Sequence, residues 1–284
     1  MLLQLPKFEH LDAKDFQEAL YWLHKYGDKA KVIAGATDLL GLIKDRIEGP
    51  ELRIPEILVN IKTIPEMNRI EYDENEGLRI GAAVTLDRIE TSKIINQKFN
   101  ILSQAAGEVG TTQLRNMGTI GGNICQRPRC MYFRHPHFIC RKKGGTKCYA
   151  ITGEHSDYYS ILKIGKCIVA HPSDMAPALA ALNARALITG PEGNKEIPFQ
   201  EFFWGPDNVM ETILQPEELL IEFLVPNQEE NTYQSFSKQR IRRSFDFALS
   251  SVAAVARIDE EVCKKIRIVL GGIAPFPYVA VEAE

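Results

Sequence analysis

Apolar and polar positions alternate along the chain in a pattern that predicts a mixed α and β protein. In the first sixty residues, Phe16, Leu20 and Leu23 share one face of a predicted helix with Asp12 as its N-cap, and the runs LLQL, KVIAG and ILVN predict strands. Between KVIAG and ILVN, small residues lead into LLGLIKDRI, as at a turn from a strand into a helix. These elements predict a small α/β unit.

Beyond residue 60 the pattern favours antiparallel strands. NRIEY and LRIGAAV flank the turn residues DENEG and predict a hairpin, NILSQAAGEVG predicts a helix, and MAPALAALNARALITGPEGNKEI predicts a helix and two strands joined by GPEG. After Pro226 the polar stretch NQEENT marks a boundary, and TYQSFSKQ, SSVAAVARI and KIRIVLGG predict further strands. The predicted fold class is α+β, with units at residues 1–60, 61–226 and 227–284.

Composition and charge narrow the possible functions. The 284 residues are 45% hydrophobic and 25% charged, which is typical of a globular protein and excludes a disordered or fibrous chain. Lys and Arg number 34 against 37 Asp and Glu, so the net charge of -3 favours neither a nucleic acid nor a membrane as partner. Because the start has no signal-peptide pattern and no apolar run reaches about 18 residues, we expect a cytoplasmic protein.

Two segments rich in small residues are candidates for binding phosphate groups. Residues 34–38, AGATD, follow a predicted strand and offer close backbone approach and a hydroxyl, although a turn capped by Thr37 or Asp38 is the commoner use of such residues. Residues 111–123, TTQLRNMGTIGGN, combine three glycines with amide and hydroxyl groups that suit a diphosphate. Their spacing matches neither the Rossmann nor the Walker A pattern, and a structural glycine-rich loop is the alternative.

The six cysteines point to metal or redox chemistry rather than to disulfides, because four of them lie between residues 125 and 148. Their separations suit a tetrahedral zinc or an iron–sulfur cluster, and the lack of a CxxC pair favours the cluster. Residues 126–153 contain seven basic residues and no acidic one, a charge that would raise a cluster's reduction potential. A basic docking loop with incidental cysteines is the alternative. Because histidine also binds zinc, His135 and His137 leave a zinc site as an alternative, although the interpretation as exposed loop histidines is favoured.

Two further positions carry candidate polar chemistry. Asp174 precedes an Ala- and Leu-rich helix, where it could accept hydrogen bonds from ribityl or ribose hydroxyls or cap the helix. Lys238, Arg240, Arg242 and Arg243 form a basic group that could stabilise a reduced flavin or lie in a solvated turn.

Four segments, AGATDLL, TTQLRNMGTIGGNIC, HPSDMAPALAAL and SFSKQRIRRSFDFALSSVAA, together resemble the FAD-binding medium subunit of the molybdenum hydroxylases, the family of xanthine dehydrogenase and carbon monoxide dehydrogenase. The resemblance covers essentially the whole chain. It implies a fold of the vanillyl-alcohol-oxidase and MurB type, with two α/β subdomains that hold an extended FAD and a C-terminal α/β domain. Relatives normally continue past GGIAPFPYVAVEAE, so that domain is expected to be truncated here.

The resemblance also implies residue roles. Two segments wrap the FAD diphosphate, Asp174 reaches sugar or ribityl hydroxyls, and Lys238 approaches the isoalloxazine as the catalytic group. Bulk at Gly121 or Gly122 is expected to collide with the diphosphate. The implied cofactor-binding residues are Val32, Ile33, Ala34, Gly35, Ala36, Thr37, Asp38, Gln113, Asn116, Gly118, Thr119, Gly121, Gly122, Asn123 and Asp174.

The insertion at about residues 124–167 resembles the subset of this family that carries a [4Fe-4S] cluster in the flavin subunit, as in 4-hydroxybenzoyl-CoA reductase and the periplasmic aldehyde oxidoreductase. The implied ligands are Cys130, Cys140, Cys148 and Cys167. Cys125 is left out, and Cys263 is expected to be a packing cysteine. Arg129 and Lys147 are expected to raise the potential of the cluster.

The implied function is an electron-transfer subunit with FAD and a [4Fe-4S] cluster. Its expected partners are a large molybdopterin-containing subunit, a small [2Fe-2S] subunit, and NAD or a ferredoxin-like protein as the external electron partner. Two alternatives stay open from the residues: a freestanding flavin oxidoreductase, and a zinc-stabilised binding module without redox activity.

Overall fold

A computed structural model describes residues 4–162, 165–242 and 244–284. Leu2 and Leu3 of the predicted strand LLQL, and Arg243 of the basic group, lie outside these residues. Gln4 and Leu5 are not in a strand, so the prediction is wrong for this half of LLQL. The strands are β1 (Glu9–Asp12), β2 (Ala30–Ile33), β3 (Ile57–Asn60), β4 (Ile70–Asp73), β5 (Gly77–Gly81), β6 (Arg185–Gly190), β7 (Gly193–Pro198), β8 (Leu219–Val225), β9 (Thr232–Gln239), β10 (Ser250–Asp259), β11 (Val262–Gly271) and β12 (Tyr278–Val279). The α-helices are α1 (Phe16–Tyr26), α2 (Leu39–Lys44), α3 (Leu86–Thr91), α4 (Lys93–Lys98), α5 (Asn100–Gly107), α6 (Thr112–Met117), α7 (Ile120–Ile124), α8 (Tyr149–Thr152) and α9 (Met175–Ala181).

The first sheet has the order β1-β3-β2 with parallel pairing, and α1 packs against β2 and β3. The helix is confirmed, but its predicted N-cap is wrong. Asp12 is the last residue of β1, and the side chain of Asp15 accepts the hydrogen bond from the Glu18 amide at 2.8 Å. An extended residue just before the helix makes the better cap because its side chain can reach the free amides of the first turn.

The second sheet has the order β4-β5-β8-β6-β7, and all its pairs are antiparallel. The predicted hairpin is confirmed as β4 and β5, and the predicted GPEG turn is confirmed between Gly190 and Gly193. The strand β8 in the middle of the sheet is nearly continuously apolar, and five of its seven residues are buried. A central strand covered on both faces shows no alternation, which is why its pattern resembles a plain apolar run.

The third sheet has the order β12-β11-β10-β9 and packs against α5 and α9. Its residues Phe236, Ala253 and Val269 belong to the same buried cluster as the helices and the second sheet. Helices and sheets therefore share one core, which gives a mixed helix and sheet architecture. No helix of the described ranges is long and apolar enough to cross a membrane.

The expectation that Cys263 packs in the interior is wrong. This cysteine lies at the start of β11, where residues 262–265 are all exposed. The start of β11 directly follows the turn that joins it to β10, at the end of the hairpin, where its side chains face solvent.

Candidate functional site

The two segments rich in small residues lie against each other. A side chain on Gly35 would overlap the carbonyl oxygen of Met117 and reach within 2.7 Å of the Gly118 Cα. Glycine is therefore required at position 35 by contact between the segments. Ala36, at the turn after β2, has a positive φ of 60°.

The second segment forms two short helices, α6 and α7, rather than a loop. Thr119 caps α7 by accepting a hydrogen bond from the Gly122 amide at 3.2 Å. A Cβ atom on Gly121 would lie 2.8 Å from the Cβ and carbonyl oxygen of Ala82, so this glycine lets α7 pack closely on the chain after β5. Gly122 is exposed, and a Cβ there would meet only the Thr119 hydroxyl, at 3.0 Å.

A cavity of about 170 Å³, called cavity A, lies between the turn after β2 and α7. Six of the predicted FAD-binding residues line it, whereas its apolar side, which Ile61 and β8 supply, was not predicted. The lining residues are Val32, Ala34, Asp38, Ile61, Ala82, Thr119, Gly121, Gly122, Cys125, Gln126, Leu214, Glu218, Leu219 and Leu220.

A larger cavity of about 320 Å³, called cavity B, also borders the segment from Gly121 to Gln126, through Asn123 and Gln126. Gln126 lines both cavities. Asn123, Asp174, Lys238 and Arg242 were predicted as candidates for a flavin site, whereas the aromatic residues of this cavity were given no role. The lining residues are Val109, Gly110, Leu114, Asn123, Gln126, Arg129, Tyr158, Pro172, Asp174, Lys238, Arg242, Phe245, Asp246 and Phe247.

Asp174 and Lys238 form a buried ion pair at the wall of cavity B. The Lys238 ammonium donates to Asp174 Oδ2 at 2.7 Å and to the Glu108 carbonyl oxygen at 3.0 Å, and both side chains are at most 5% exposed. Burial raises the pKa of Asp174 to about 6, against the opposing effect of the Lys238 charge. The Asp174 side chain does not cap α9.

Ser173 joins the second glycine segment to α9. Its hydroxyl donates to the Asn123 side chain and accepts from the Ala176 amide at 3.1 Å. Asn123, predicted as a cofactor residue, lines cavity B, and its side-chain oxygen accepts this hydrogen bond from Ser173.

Several predicted FAD-binding residues line neither cavity. Ile33 is buried in a separate apolar cluster beneath the first sheet, Gly35 and Gly118 lie in the contact between the two segments, and Ala36 and Thr37 lie outside cavity A. The remaining two, Gln113 and Asn116, are exposed on α6.

Asp38 lies at the N-cap position of α2 but makes no capping hydrogen bond. Its carboxylate instead pairs with Arg129 at 2.9 Å and Arg134 at 2.6 Å, and it accepts from the Arg127 amide at 2.9 Å. These three residues flank Cys130. The turn beside cavity A is therefore tied directly to the cysteine segment.

The four predicted metal ligands belong to one apolar cluster. Cys130 and Cys140 are buried, and Cys148 and Cys167 are half-buried against the same group of residues. Cys125 packs with the main core and Cys263 is exposed, so neither joins them. Within the described ranges, no three His, Cys, Asp or Glu side chains are arranged around a position for a single metal ion.

Lysines other than the expected one lie beside these sulfurs. Lys143 is fully buried, its ammonium donates to the His135 carbonyl at 2.7 Å, and the nearby Cys140 and Cys130 thiols interact with its charge. Lys142 is buried near Cys167 and pairs with Glu211 at 2.7 Å.

Lys147, in contrast, is exposed, so its expected influence on a cluster would be screened by water. Arg129 is half-buried, and its charge is already paired with Asp38. The sequence pattern identified a basic segment, but it could not show which of its cations point inwards.

Comparison with known proteins identifies the family. A model described as the FAD binding domain in molybdopterin dehydrogenase matches residues 6–228, and one described as the CO dehydrogenase flavoprotein C-terminal domain matches residues 235–284. The chain belongs to the molybdopterin dehydrogenase flavoprotein family. It is an FAD-binding oxidoreductase subunit.

Relatives of this molybdopterin dehydrogenase flavoprotein include the aldehyde oxidoreductase FAD-binding subunit PaoB of Escherichia coli strain K12. It is 35% identical over 254 residues, which cover 88% of this chain and 76% of PaoB. The carbon monoxide dehydrogenase medium chain of Hydrogenophaga pseudoflava is 28% identical over 271 residues, covering 95% of this chain and 76% of that protein.

The fold is similar to that of a solved carbon monoxide dehydrogenase from Hydrogenophaga pseudoflava, in a form that lacks the Mo-pyranopterin moiety of its molybdenum cofactor. The TM-score is 0.75 at 27% identity, and the match covers 99% of this chain and 80% of that chain. The molybdopterin dehydrogenase flavoprotein described here therefore has the FAD-binding architecture of a carbon monoxide dehydrogenase medium chain.

Proposed function

We propose that this chain is the FAD- and [4Fe-4S]-containing electron-transfer subunit of a molybdenum hydroxylase. The observation that carries the FAD part is that cavities A and B are both lined by one short segment, Gly121 to Gln126, and share Gln126. A dinucleotide is long and has two ends, and adjoining cavities along one backbone segment suit it. Gly122 has no side chain and so leaves space beside cavity A, which favours placing the diphosphate there.

In this proposal Asp174 and Lys238 serve the flavin end in cavity B. Bound FAD supplies the exchange of two electrons for single electrons. The Asp174 carboxylate oxygens accept further hydrogen bonds, beyond the one from Lys238, from hydroxyl groups of the cofactor. Lys238 has three ammonium hydrogens, two of which are used by protein, so the third is available at the cavity wall. The fold is proposed to be of the vanillyl-alcohol-oxidase and MurB type.

The [4Fe-4S] part rests on the cysteines. Four thiols share one apolar cluster with buried cations beside them, which suits a negatively charged, thiolate-bound cluster that relays single electrons. Cys140 and Cys148 flank the turn 141–147, which is closed by a hydrogen bond from the Arg141 amide to the Lys147 carbonyl at 3.1 Å. No observation on the described residues supports a zinc-stabilised module or a freestanding oxidoreductase.

The partners follow from the relatives that this chain resembles, which are named as subunits or chains of larger enzymes. We propose a large molybdopterin-containing subunit and a small [2Fe-2S] subunit, with NAD or a ferredoxin-like protein as external electron partner. The cysteine cluster relays electrons between the flavin end and that external partner.

The test is a count of flavin and iron in the protein produced anaerobically with its partner subunits. The expected result is one FAD and four iron atoms per chain beyond the iron of the partners. Serine at each of Cys130, Cys140, Cys148 and Cys167 is expected to remove that iron, and serine at Cys125 or Cys263 to leave it. Zinc without iron in the unaltered protein would rule out the cluster, and loss of iron in Cys125→Ser with retention in Cys167→Ser would rule out the ligand set.

A further inference from the structure

Two pairs of neighbouring residues link cavity B to the cysteine cluster. In each pair one side chain lines the cavity and the next one joins the cluster: Arg129 with Cys130, and Tyr158 with Tyr159. The proposed flavin site and the proposed cluster are therefore separated by one residue of backbone at two places.

Tyr159 is held firmly in this position. The backbone of residues 158–160 pairs with that of residues 168–170, through hydrogen bonds from the Ser160 amide to the Ile168 carbonyl at 2.7 Å and from the Ala170 amide to the Tyr158 carbonyl at 3.0 Å. The same pairing fixes the chain that leaves Cys167. The Tyr159 side chain is buried within the cysteine cluster.

The Tyr159 hydroxyl donates a hydrogen bond to the Cys130 sulfur at 3.3 Å. Among the hydrogen bonds that side chains of the described residues donate, this is the one made to a cysteine sulfur, whereas backbone amides lie beside the sulfurs of Cys140 and Cys167. A ring alone would fill the apolar space, so packing does not require the hydroxyl. The hydroxyl therefore points to a role at the sulfur itself.

We propose that Tyr159 is a positioning residue that sets the reduction potential of the cluster through its hydrogen bond to Cys130, an inference that rests on the proposed [4Fe-4S] function. Reduction adds negative charge, part of which lies on the ligand sulfurs, and a donated hydrogen bond stabilises that charge. A hydrogen bond to a ligand sulfur therefore makes reduction more favourable.

The test compares Tyr159→Phe with Tyr149→Phe in the assembled complex, by redox titration followed by EPR. Tyr149 packs against the same cysteine cluster, and its hydroxyl bonds no sulfur among the described residues. The expected result is a lower midpoint potential for Tyr159→Phe, with iron content unchanged, and the wild-type potential for Tyr149→Phe. Equal potentials in the wild type and Tyr159→Phe would overturn the role of the hydroxyl.

A second replacement is used if the Tyr159→Phe protein assembles poorly. Replacement of Tyr159 by 3-fluorotyrosine keeps the ring and makes the hydroxyl a stronger donor, so the midpoint potential is expected to rise; an unchanged or lower value overturns the proposal. Failure of the proposed function itself has a different signature, because the wild-type chain would then hold no iron and give no reduced-cluster EPR signal.

Discussion

At the scale of single residues, Asp174 gives cofactor binding a dependence on pH. Its pKa is raised to about 6 by burial, and the charged groups around it are Lys238, Glu108 and Arg240. In the proposed site the carboxylate accepts hydrogen bonds from FAD hydroxyls above pH 6, and below pH 6 the protonated group is a poorer acceptor. We therefore expect the affinity for FAD to fall as the pH falls through about 6.

Titration of the FAD-free protein with FAD between pH 5 and pH 8 checks this. Asp174→Asn is expected to weaken binding by about 1–3 kcal/mol at pH 8 and to abolish the pH dependence. Asp207→Asn, which changes an exposed carboxylate, serves as the control. A wild-type affinity that is constant across this range would contradict the role given to Asp174. Asn is preferred to Ala because its amide oxygen can still accept a hydrogen bond from the buried Lys238 ammonium, whereas Ala removes both the counter-charge and the acceptor.

The two neighbouring glycines of α7 are expected to respond differently to valine. Gly121→Val forces side-chain atoms against Ala82, and such overpacking costs about 1–3 kcal/mol of stability. This corrects the expectation that bulk at position 121 collides first with the cofactor. Gly122→Val meets almost no protein atoms, so its main effect is expected on FAD affinity.

Thermal unfolding and FAD titration of both variants separate the two effects. The expected pattern is a lower Tm for Gly121→Val, and a near-normal Tm with weakened FAD binding for Gly122→Val. Full FAD affinity in Gly122→Val would show that the cofactor does not pass along this face of α7.

At the scale of elements, Asp38 joins the turn after β2 to the segment around Cys130. Its side chain is 15% exposed and its partners Arg129 and Arg134 are 22% and 19% exposed, so water screens these pairs little. Asp38→Asn is expected to lower the free energy of unfolding by about 1.5–3 kcal/mol and to speed protease cleavage within residues 127–167.

Asp28→Asn is the matched control in the same unit. Asp28 pairs with Arg53 at 3.2 Å, but both side chains are more than half exposed. An exposed pair of this kind contributes about 0–1 kcal/mol. Denaturant unfolding of the two variants checks the difference, and equal losses of stability would show that Asp38 does not tie the segments together.

The sequence predicted most regular elements because their signals are local. The hairpin of β4 and β5 and the helix-to-strand run from α9 to β7 follow from alternation and turn residues within a few positions. The roles of Asp38 and Tyr158 could not be predicted, since their partners lie 96 and 88 residues away in the chain. The glycine pattern hid α6 and α7 because threonine caps and close packing stabilise these short helices despite low intrinsic propensity.

At the scale of the whole molecule, Phe247 brings the C-terminal unit over cavity B. The Arg129 guanidinium lies 4.5 Å from the centre of its ring, and the Tyr158 ring meets it edge-on at 5.8 Å. Tyr158 is further held by its hydroxyl, which donates to Asp246 at 2.6 Å. The third sheet and the cysteine segment thus form the same wall of cavity B.

Phe247→Ala is expected to open that wall without unfolding the protein, because the ring is only half-buried. We expect FAD to dissociate faster and the reduced flavin to be reoxidised faster by oxygen. Stopped-flow reoxidation and the rate of FAD release check this, with Tyr233→Ala, an exposed aromatic of the same sheet, as control. Unchanged rates in Phe247→Ala would show that another part of the molecule shields cavity B.

The ties from Asp38 to Arg129 and Arg134 also bear on how the protein matures in the cell. Cys130 lies between these arginines. If the cysteines bind the proposed cluster, a segment that lacks it is expected to hold the arginines poorly, so that the turn beside cavity A loses its support. We expect protein from iron-starved cells to carry less FAD per chain as well as less iron, and Asp38→Asn to carry an FAD content that no longer follows the iron supply. Analysis of flavin and iron from matched cultures checks this, and full flavination without iron would contradict it. Iron availability would then limit the amount of FAD-loaded protein as well as the amount of the cluster.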